Sequence, residues 1–185
     1  DELDDPQFLA NDEKRCYYCK KRRFSTLLDI AADEGLKYVI DGSNRDDLGD
    51  FRPGKAASDE IGVRSPQSEA GMTKDYIRSI ARDRGIGNSN KPAYACLATR
   101  IPYGTPIAPE LLDRIAEAEA QLACLGLRKV RVRHHGDMAR IEVVSNQIGI
   151  LMDDEKRRIA VEALKQLGYR YITLDLEGYR PSGTS

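Results

Sequence analysis

The sequence predicts an α/β layer followed by a small α+β unit with an antiparallel sheet, and three features of its 185 residues carry that expectation. A helix-period stretch in the twenties runs straight into the short apolar run "LKYVIDG", Leu36 to Gly42, and helix followed by buried strand is the order of α/β packing. Beyond Pro109 the pattern reads helix, strand, strand, helix, strand, which suits helices laid on an antiparallel sheet. Between the two the texture changes, so the expected domains are residues 1–104 and 105–185.

Each element has a local reason. Phe24, Leu27, Leu28 and Ala31 fall at i, i+3, i+4 and i+7, and Gly35 stands where that helix would end. "SNRDDLGDFRPG" is polar, marked by Gly and Pro, and reads as a functional loop. "GVRSP" suits another short strand, after which Thr73 caps a helix carrying Ile77, Ile80 and Ala81 that Gly85 stops. "KPAYACLATRIPYGTP" is a second polar loop. Leu111, Ile115, Ala118, Leu122 and Leu125 trace one face of a long helix, and "RKVRVRHHGDMARIEVV" reads as a hairpin turning near His135 to Asp137. Asp153 caps a helix through Leu164 and Leu167 to Gly168, and "YRYITLDL" closes as a strand.

Composition narrows the function. With 41% hydrophobic residues the chain can bury a core, and a net charge of -1 leaves no broad basic surface for nucleic acid or anionic membranes. A small polar substrate fits better. No apolar run approaches the ~20 residues of a membrane helix, and four cysteines without disulfide-like density suit a reducing cytoplasm. The chain opens on "DELDDP" without Met, as expected of a piece of a longer protein.

Three constellations carry chemistry. In "RCYYCK", Cys16 and Cys19 lie three positions apart between Arg15 and Lys20. Zinc sites, redox pairs and iron–sulfur sites all use this spacing, and two buried thiols remain a fourth reading. A zinc site would want a second pair, and a thioredoxin-like pair a preceding strand that "FLANDEK" does not supply. Cys96, in "ACLATR" between Lys91 and Arg100, occupies a loop in the electropositive surroundings where reactive sulfur is found; Cys124 lies off its helix's apolar stripe and is unremarkable. The loop with Asp41, Asp46, Asp47, Asp50, Arg45 and Arg52 suits Mg²⁺ or substrate hydroxyls at a strand's C-terminal edge, or is a solvated turn. In the hairpin, period two sends Arg131 and Arg133 to one face and Val130 and Val132 to the other. Two guanidiniums make a phosphate or carboxylate fork, with Glu142 as partner or metal ligand and His134 and His135 near the turn; a solvated, salt-bridged face is the plain alternative.

The segments "RCYYCKKRRFSTLL", "DGSNRDDLGDFRPG", "GVRSPQSEAGMTKDYIRSIAR", "KPAYACLATRIPYGTPI", "VRVRHHGDMARIEV" and "LEGYRPSG" together resemble the LarE family of ATP-dependent sulfur transferases, in the PP-loop superfamily. They span nearly the whole chain in the family's order. The resemblance implies a partial Rossmann-like PP-loop layer, then the small α+β domain. It places the family's SGGxDS loop, absent here, before residue 1, with ATP and Mg²⁺ bound largely outside this chain. It implies sulfur delivery to an adenylate-activated carboxylate of pyridinium-3,5-dicarboxylate mononucleotide, in nickel-pincer cofactor biosynthesis. Cys96 matches the donor cysteine of "CLxSR", with Thr99 in place of Ser. With Cys16 and Cys19 also present, the resemblance implies a four-iron four-sulfur cluster on Cys16, Cys19 and Cys96; where only the donor cysteine occurs, that residue gives up its own sulfur. By the same route Arg131 and Arg133 match a pair at the substrate phosphate, Arg100 beside the donor loop is a substrate contact, Asp46, Asp47 and Arg52 contact substrate or Mg-nucleotide, and Glu142 is a metal candidate. A homotrimer or hexamer is implied as well. Sacrificial single-turnover sulfur donation from Cys96 alone, a tRNA-thiolating PP-loop enzyme and a non-catalytic metal-binding fragment are the alternatives, the second disfavoured by the near-zero charge.

Overall fold

The computed structural model describes residues 2–49, 53–91 and 95–180. The chain divides into two compact units, Asp1–Tyr94 and Ala95–Ser185. The Cys96 loop therefore goes with the second unit, although the change in sequence texture lies near residue 105.

The first unit is helical. Helix α1 (Pro6–Leu9) is started by the Asp5 carboxylate, which accepts from the Gln7 amide, and α2 (Arg15–Asp33) buries Phe24 and Ala31. Helix α3 (Pro53–Ile61) packs along α2, and Gly54 is what lets it in. A Cβ there would meet the Lys20 stem at 2.8 Å and the Cys16 carbonyl oxygen at 3.3 Å. After α4 (Pro66–Glu69), α5 (Lys74–Asp83) starts on Thr73, whose Oγ1 accepts from the Tyr76 amide.

The strand expected at Leu36 to Gly42 is reduced among the described residues to one parallel bridge, Ile40 with Arg64, made by Asp41 N to Arg64 O at 2.9 Å and Arg64 N to Val39 O at 3.1 Å. The run is not buried either, since Leu36 and Ile40 are each 63% exposed. An apolar strand is covered only by neighbours on its faces, and the described residues offer it Arg64 alone as a strand partner.

The second unit holds the core. Helix α6 (Pro109–Cys124) lays Ile115, Ala118 and Leu122 inward. Strands β1 (Val130–His135) and β2 (Met138–Val143) form an antiparallel hairpin closed by Gly136 and Asp137, with Gly136 at φ +64°. Helix α7 (Asp154–Gln166) starts on Asp153, which accepts from the Lys156 amide, and leads to β3 (Tyr171–Leu174).

The sheet order is β1-β2-β3, but β3 runs parallel to β2, so the expected antiparallel sheet is in fact mixed. The reason is connectivity. A two-residue loop reverses the chain between β1 and β2, whereas α7 carries it back along the sheet and lets β3 start in the same sense as β2. Leu122, Val132, Ile141, Val143, Leu151, Leu164 and Tyr169 fill one side of the sheet.

Candidate functional site

The other side of the hairpin is polar, yet it is closed. Register sets Arg131 opposite Glu142 and Arg133 opposite Arg140, so one sheet face carries three guanidiniums and a carboxylate. Arg131 is 4% exposed, Arg133 3% and Glu142 2%, which rules out the solvated-face reading. Arg133 Nε donates to Glu142 Oε1 at 2.9 Å, and Arg140 reaches the same oxygen at 3.2 Å while lying 3.6 Å from Asp175. Arg131 differs in having neutral acceptors: the Arg180 carbonyl at 2.9 Å and the Tyr179 hydroxyl at 2.8 Å. Its guanidinium also stands 4.2 Å from the centre of the Tyr179 ring. Burial, and then the neighbouring charges of Arg100 and Arg133, push the Arg131 pKa down. A buried cation without its own carboxylate suits an anion's approach.

Tyr179 is delivered by a turn that only glycine permits. Gly178 has φ +76°, and a Cβ there would lie 2.7 Å from the Val143 carbonyl oxygen, the group that accepts the Tyr179 amide at 2.8 Å.

The Cys96 loop covers the same face. Ala98 and Ile101 are buried and anchor a short 3₁₀ turn over Leu97–Arg100. The Cys96 carbonyl accepts from the Thr99 amide at 2.9 Å, the Thr99 hydroxyl at 2.7 Å and Arg100 Nη1 at 3.2 Å. Arg133 Nη1 donates to the Thr99 carbonyl at 2.7 Å. The backbone is held at both carbonyls while the Cys96 residue stays exposed as a thiol. Arg100 is 3% exposed and turned inward, where Nε and Nη2 bracket the Glu119 carboxylate at 2.8 and 3.2 Å.

The remaining sequence candidates belong to the first unit. Cys16 and Cys19 lie on α2 of the first unit at i and i+3, on one helical face; Cys16 is exposed and Cys19 half-buried. Arg15 does not accompany them on the surface, because it is buried with its guanidinium on Asn11 Oδ1. Among the described residues no three His, Cys, Asp or Glu side chains stand together to hold a metal ion. Asp46 Oδ2 accepts from the Lys74 amide at 2.8 Å, adding a second cap to α5, and Asp47 Oδ2 accepts from Asn44 N and Nδ2 at 3.0 and 2.8 Å. Arg52 lies outside the described residues.

Glu119, Tyr179 and Asp175 were not legible as site residues from the sequence. Glu119 did leave a trace: Ile115, Ala118, Glu119 and Leu122 form one i, i+3, i+4, i+7 stripe, and a carboxylate on an apolar stripe calls for a buried cation.

His134 and His135 end β1, with His134 on the core side, 5.8 Å from the Tyr169 ring centre. His134 Nδ1 and His135 Nε2 are buried without a hydrogen-bond partner among the described residues. Burial, then Arg114 and His135, lower the His134 pKa from its ordinary 6.5; burial, then Arg140 and Arg133, lower that of His135. The unfolded chain therefore takes up protons first on acidification. Stability conferred by neutral histidines is complete above about pH 6.5 and is lost as pH falls from there through the folded-state values. The urea midpoint should drop between about pH 7.5 and about pH 5.5, and a His134→Gln/His135→Gln variant should drop less. Equal drops in both proteins would remove the histidines as the cause.

No helix among the described residues is long and apolar enough to cross a membrane. The arrangement defines an α/β protein that offers an exposed thiol on a pinned loop, beside a buried guanidinium layer. No family model matches the sequence. Curated relatives do. An uncharacterised protein of Synechocystis sp. is 43% identical over 97% of this chain and 67% of its own length. The pyridinium-3,5-bisthiocarboxylic acid mononucleotide synthase of Lactiplantibacillus plantarum is 40% identical over 97% of this chain and 64% of its length, and an uncharacterised protein of Methanocaldococcus jannaschii is 32% identical over 94% and 67%. The chain belongs to the LarE family, and hence to the PP-loop superfamily. It spans about two thirds of the length of these relatives.

Proposed function

We propose that this protein is an ATP-dependent sulfur transferase that converts an adenylate-activated carboxylate of pyridinium-3,5-dicarboxylate mononucleotide into a thiocarboxylate, a step of nickel-pincer cofactor biosynthesis. The observation that carries the proposal is the Cys96 thiol, exposed on a backbone fixed at two carbonyls beside Arg131 and Arg133. The name of the Lactiplantibacillus relative, a bisthiocarboxylic acid mononucleotide synthase, supports the product class.

Arg131 is the cation for the substrate phosphate, because exchanging two neutral acceptors for an anion gains charge without abandoning a carboxylate. Arg133 assists while Glu142 neutralises it; Glu142, set among three guanidiniums and in no group of three His, Cys, Asp or Glu side chains among the described residues, does not fit a metal ion. Asp46, Asp47 and Arg52 belong to substrate or Mg-nucleotide contacts, and the first unit to a Rossmann-like nucleotide-binding layer. A trimer or hexamer in the cytoplasm, without nucleic-acid or membrane partners, completes the reading.

Cys16, Cys19 and Cys96 are the proposed ligands of a four-iron four-sulfur cluster. All are thiols, two share a helical face, and thiolate is the donor such clusters take. When bound, the cluster supplies replaceable sulfide. A second version has Cys96 give up its own sulfur, and the exposure and backbone support of that one thiol favour it. Anaerobic iron and sulfide analysis of the full-length protein should find both elements, and each of Cys16→Ala, Cys19→Ala and Cys96→Ala should lose them. Loss of the elements of H₂S from Cys96 after turnover would establish the second version. A protein that holds no iron and whose Cys96 keeps its sulfur after turnover would sink the proposal.

A further inference from the structure

We propose that Thr99, Arg100 and Glu119 are positioning residues that fix the backbone presenting the Cys96 sulfur and tie it to the strand bearing Arg131 and Arg133. The inference rests on Cys96 as sulfur donor, and it gives Arg100 a task other than contact with substrate.

The geometry works from the inside out. Glu119 grips one edge of the Arg100 guanidinium through Nε and Nη2, at 2.8 and 3.2 Å, a paired arrangement that fixes the plane of the fork. With that edge held, Nη1 is aimed at the loop, where it reaches the Ala95 carbonyl at 3.0 Å, the Cys96 carbonyl at 3.2 Å and Thr99 Oγ1 at 3.1 Å. The Thr99 hydroxyl closes the circuit by accepting from Nη1 and donating to the Cys96 carbonyl at 2.7 Å. Three donors therefore converge on the carbonyl of the residue whose thiol is offered outward, which saturates an oxygen with two lone pairs.

Glu119 has a second duty. Its Oε1 also accepts from the Val132 amide at 3.0 Å, and among the described residues β1 is an edge strand whose outward amides have no strand neighbour. One carboxylate thus links the Cys96 loop to the strand between Arg131 and Arg133, and the Arg133 bond to the Thr99 carbonyl is a second link between the same two pieces. The loop and the arginine strand are held in one register. In a transfer reaction the sulfur and the group that holds the substrate must keep a fixed separation, and a displacement of about 1 Å costs up to about a hundredfold in rate.

Any hydroxyl on the Cβ of residue 99 can serve, and an isosteric residue without one cannot. Thr99→Ser, Thr99→Val and Glu119→Gln, made in the full-length protein with surface Glu162→Gln as control, separate positioning from simple support of the fold. Hydrogen exchange of residues 95–101 and steady-state thiocarboxylate formation are the two readouts. Thr99→Val and Glu119→Gln should exchange about tenfold faster in this segment, while β2 keeps its protection. Their kcat should fall about tenfold to a hundredfold with KM for the carboxylate substrate unchanged. Thr99→Ser and Glu162→Gln should match wild type. Unchanged exchange in both Thr99→Val and Glu119→Gln, or a Thr99→Ser variant as impaired as Thr99→Val, would overturn the proposal. Thr99 is at the surface, so its two variants keep the test decisive even if Glu119→Gln does not fold. Activity retained by Cys96→Ala would instead refute the donor reading, and exchange would still report whether these residues hold the loop.

Discussion

Glu142→Leu should destabilise the second unit by about 3–5 kcal/mol, the usual loss when one partner of a buried ion pair is removed. The Glu142 side chain is 2% exposed and that of Arg133 4%, so water cannot replace the lost carboxylate. The two guanidiniums that share Oε1 fare differently. Arg140 keeps Asp175 at 3.6 Å, whereas Arg133 loses the carboxylate to which its Nε donates at 2.9 Å. Arg133 is the more buried of the two, its side chain 4% exposed against 26% for Arg140, so the larger share of the loss arises there. Glu142→Gln, which keeps shape and an acceptor, should lose less. Urea unfolding checks both, with Glu162→Leu as a surface control that should stay within about 0.5 kcal/mol of wild type. A loss below about 1 kcal/mol for Glu142→Leu would mean that the pair is not insulated from solvent.

Cys96→Ser should reduce thiocarboxylate formation by about a thousandfold or more, since it removes the sulfur and leaves binding intact. Serine fits because the loop is held through backbone carbonyls and the Arg100 fork, so the side chain can change without disturbing its support. Cys124→Ala serves as the comparison, an exposed thiol at the end of α6 with no part in the arginine layer, and should leave the rate unchanged. Equal activity in Cys96→Ser and wild type, measured with adenylated substrate, would end the case for Cys96 as donor.

Local elements were legible where local forces decide them. The caps by Thr73 and Asp153 could be read because a side-chain oxygen satisfies an amide three residues away. The hairpin could be read because Gly136 and Asp137 sit between two period-two runs. The direction of β3 follows from connectivity, since a helix separates it from its neighbour β2, whereas the order of elements alone predicts an antiparallel sheet. The run Leu36 to Gly42 shows the opposite limit. Apolar content predicted burial, but burial is conferred by what packs against a segment, and among the described residues its strand pairing is a single bridge.

By itself the sequence determined the family, the positions of the helices and the hairpin, and the alternation that puts Arg131 and Arg133 on one strand face. These depend on residue identity, short-range hydrogen bonds and side-chain period. Only the tertiary structure decided that this face is buried and that Arg131 rests on neutral acceptors. It likewise decided that Arg100 is held by Glu119, nineteen positions away, with Nη1 turned to the Cys96 loop. Such pairings follow from helix packing and strand register, which juxtapose charges that no local rule couples. The low dielectric they create turns ordinary arginines and glutamates into an ordered layer.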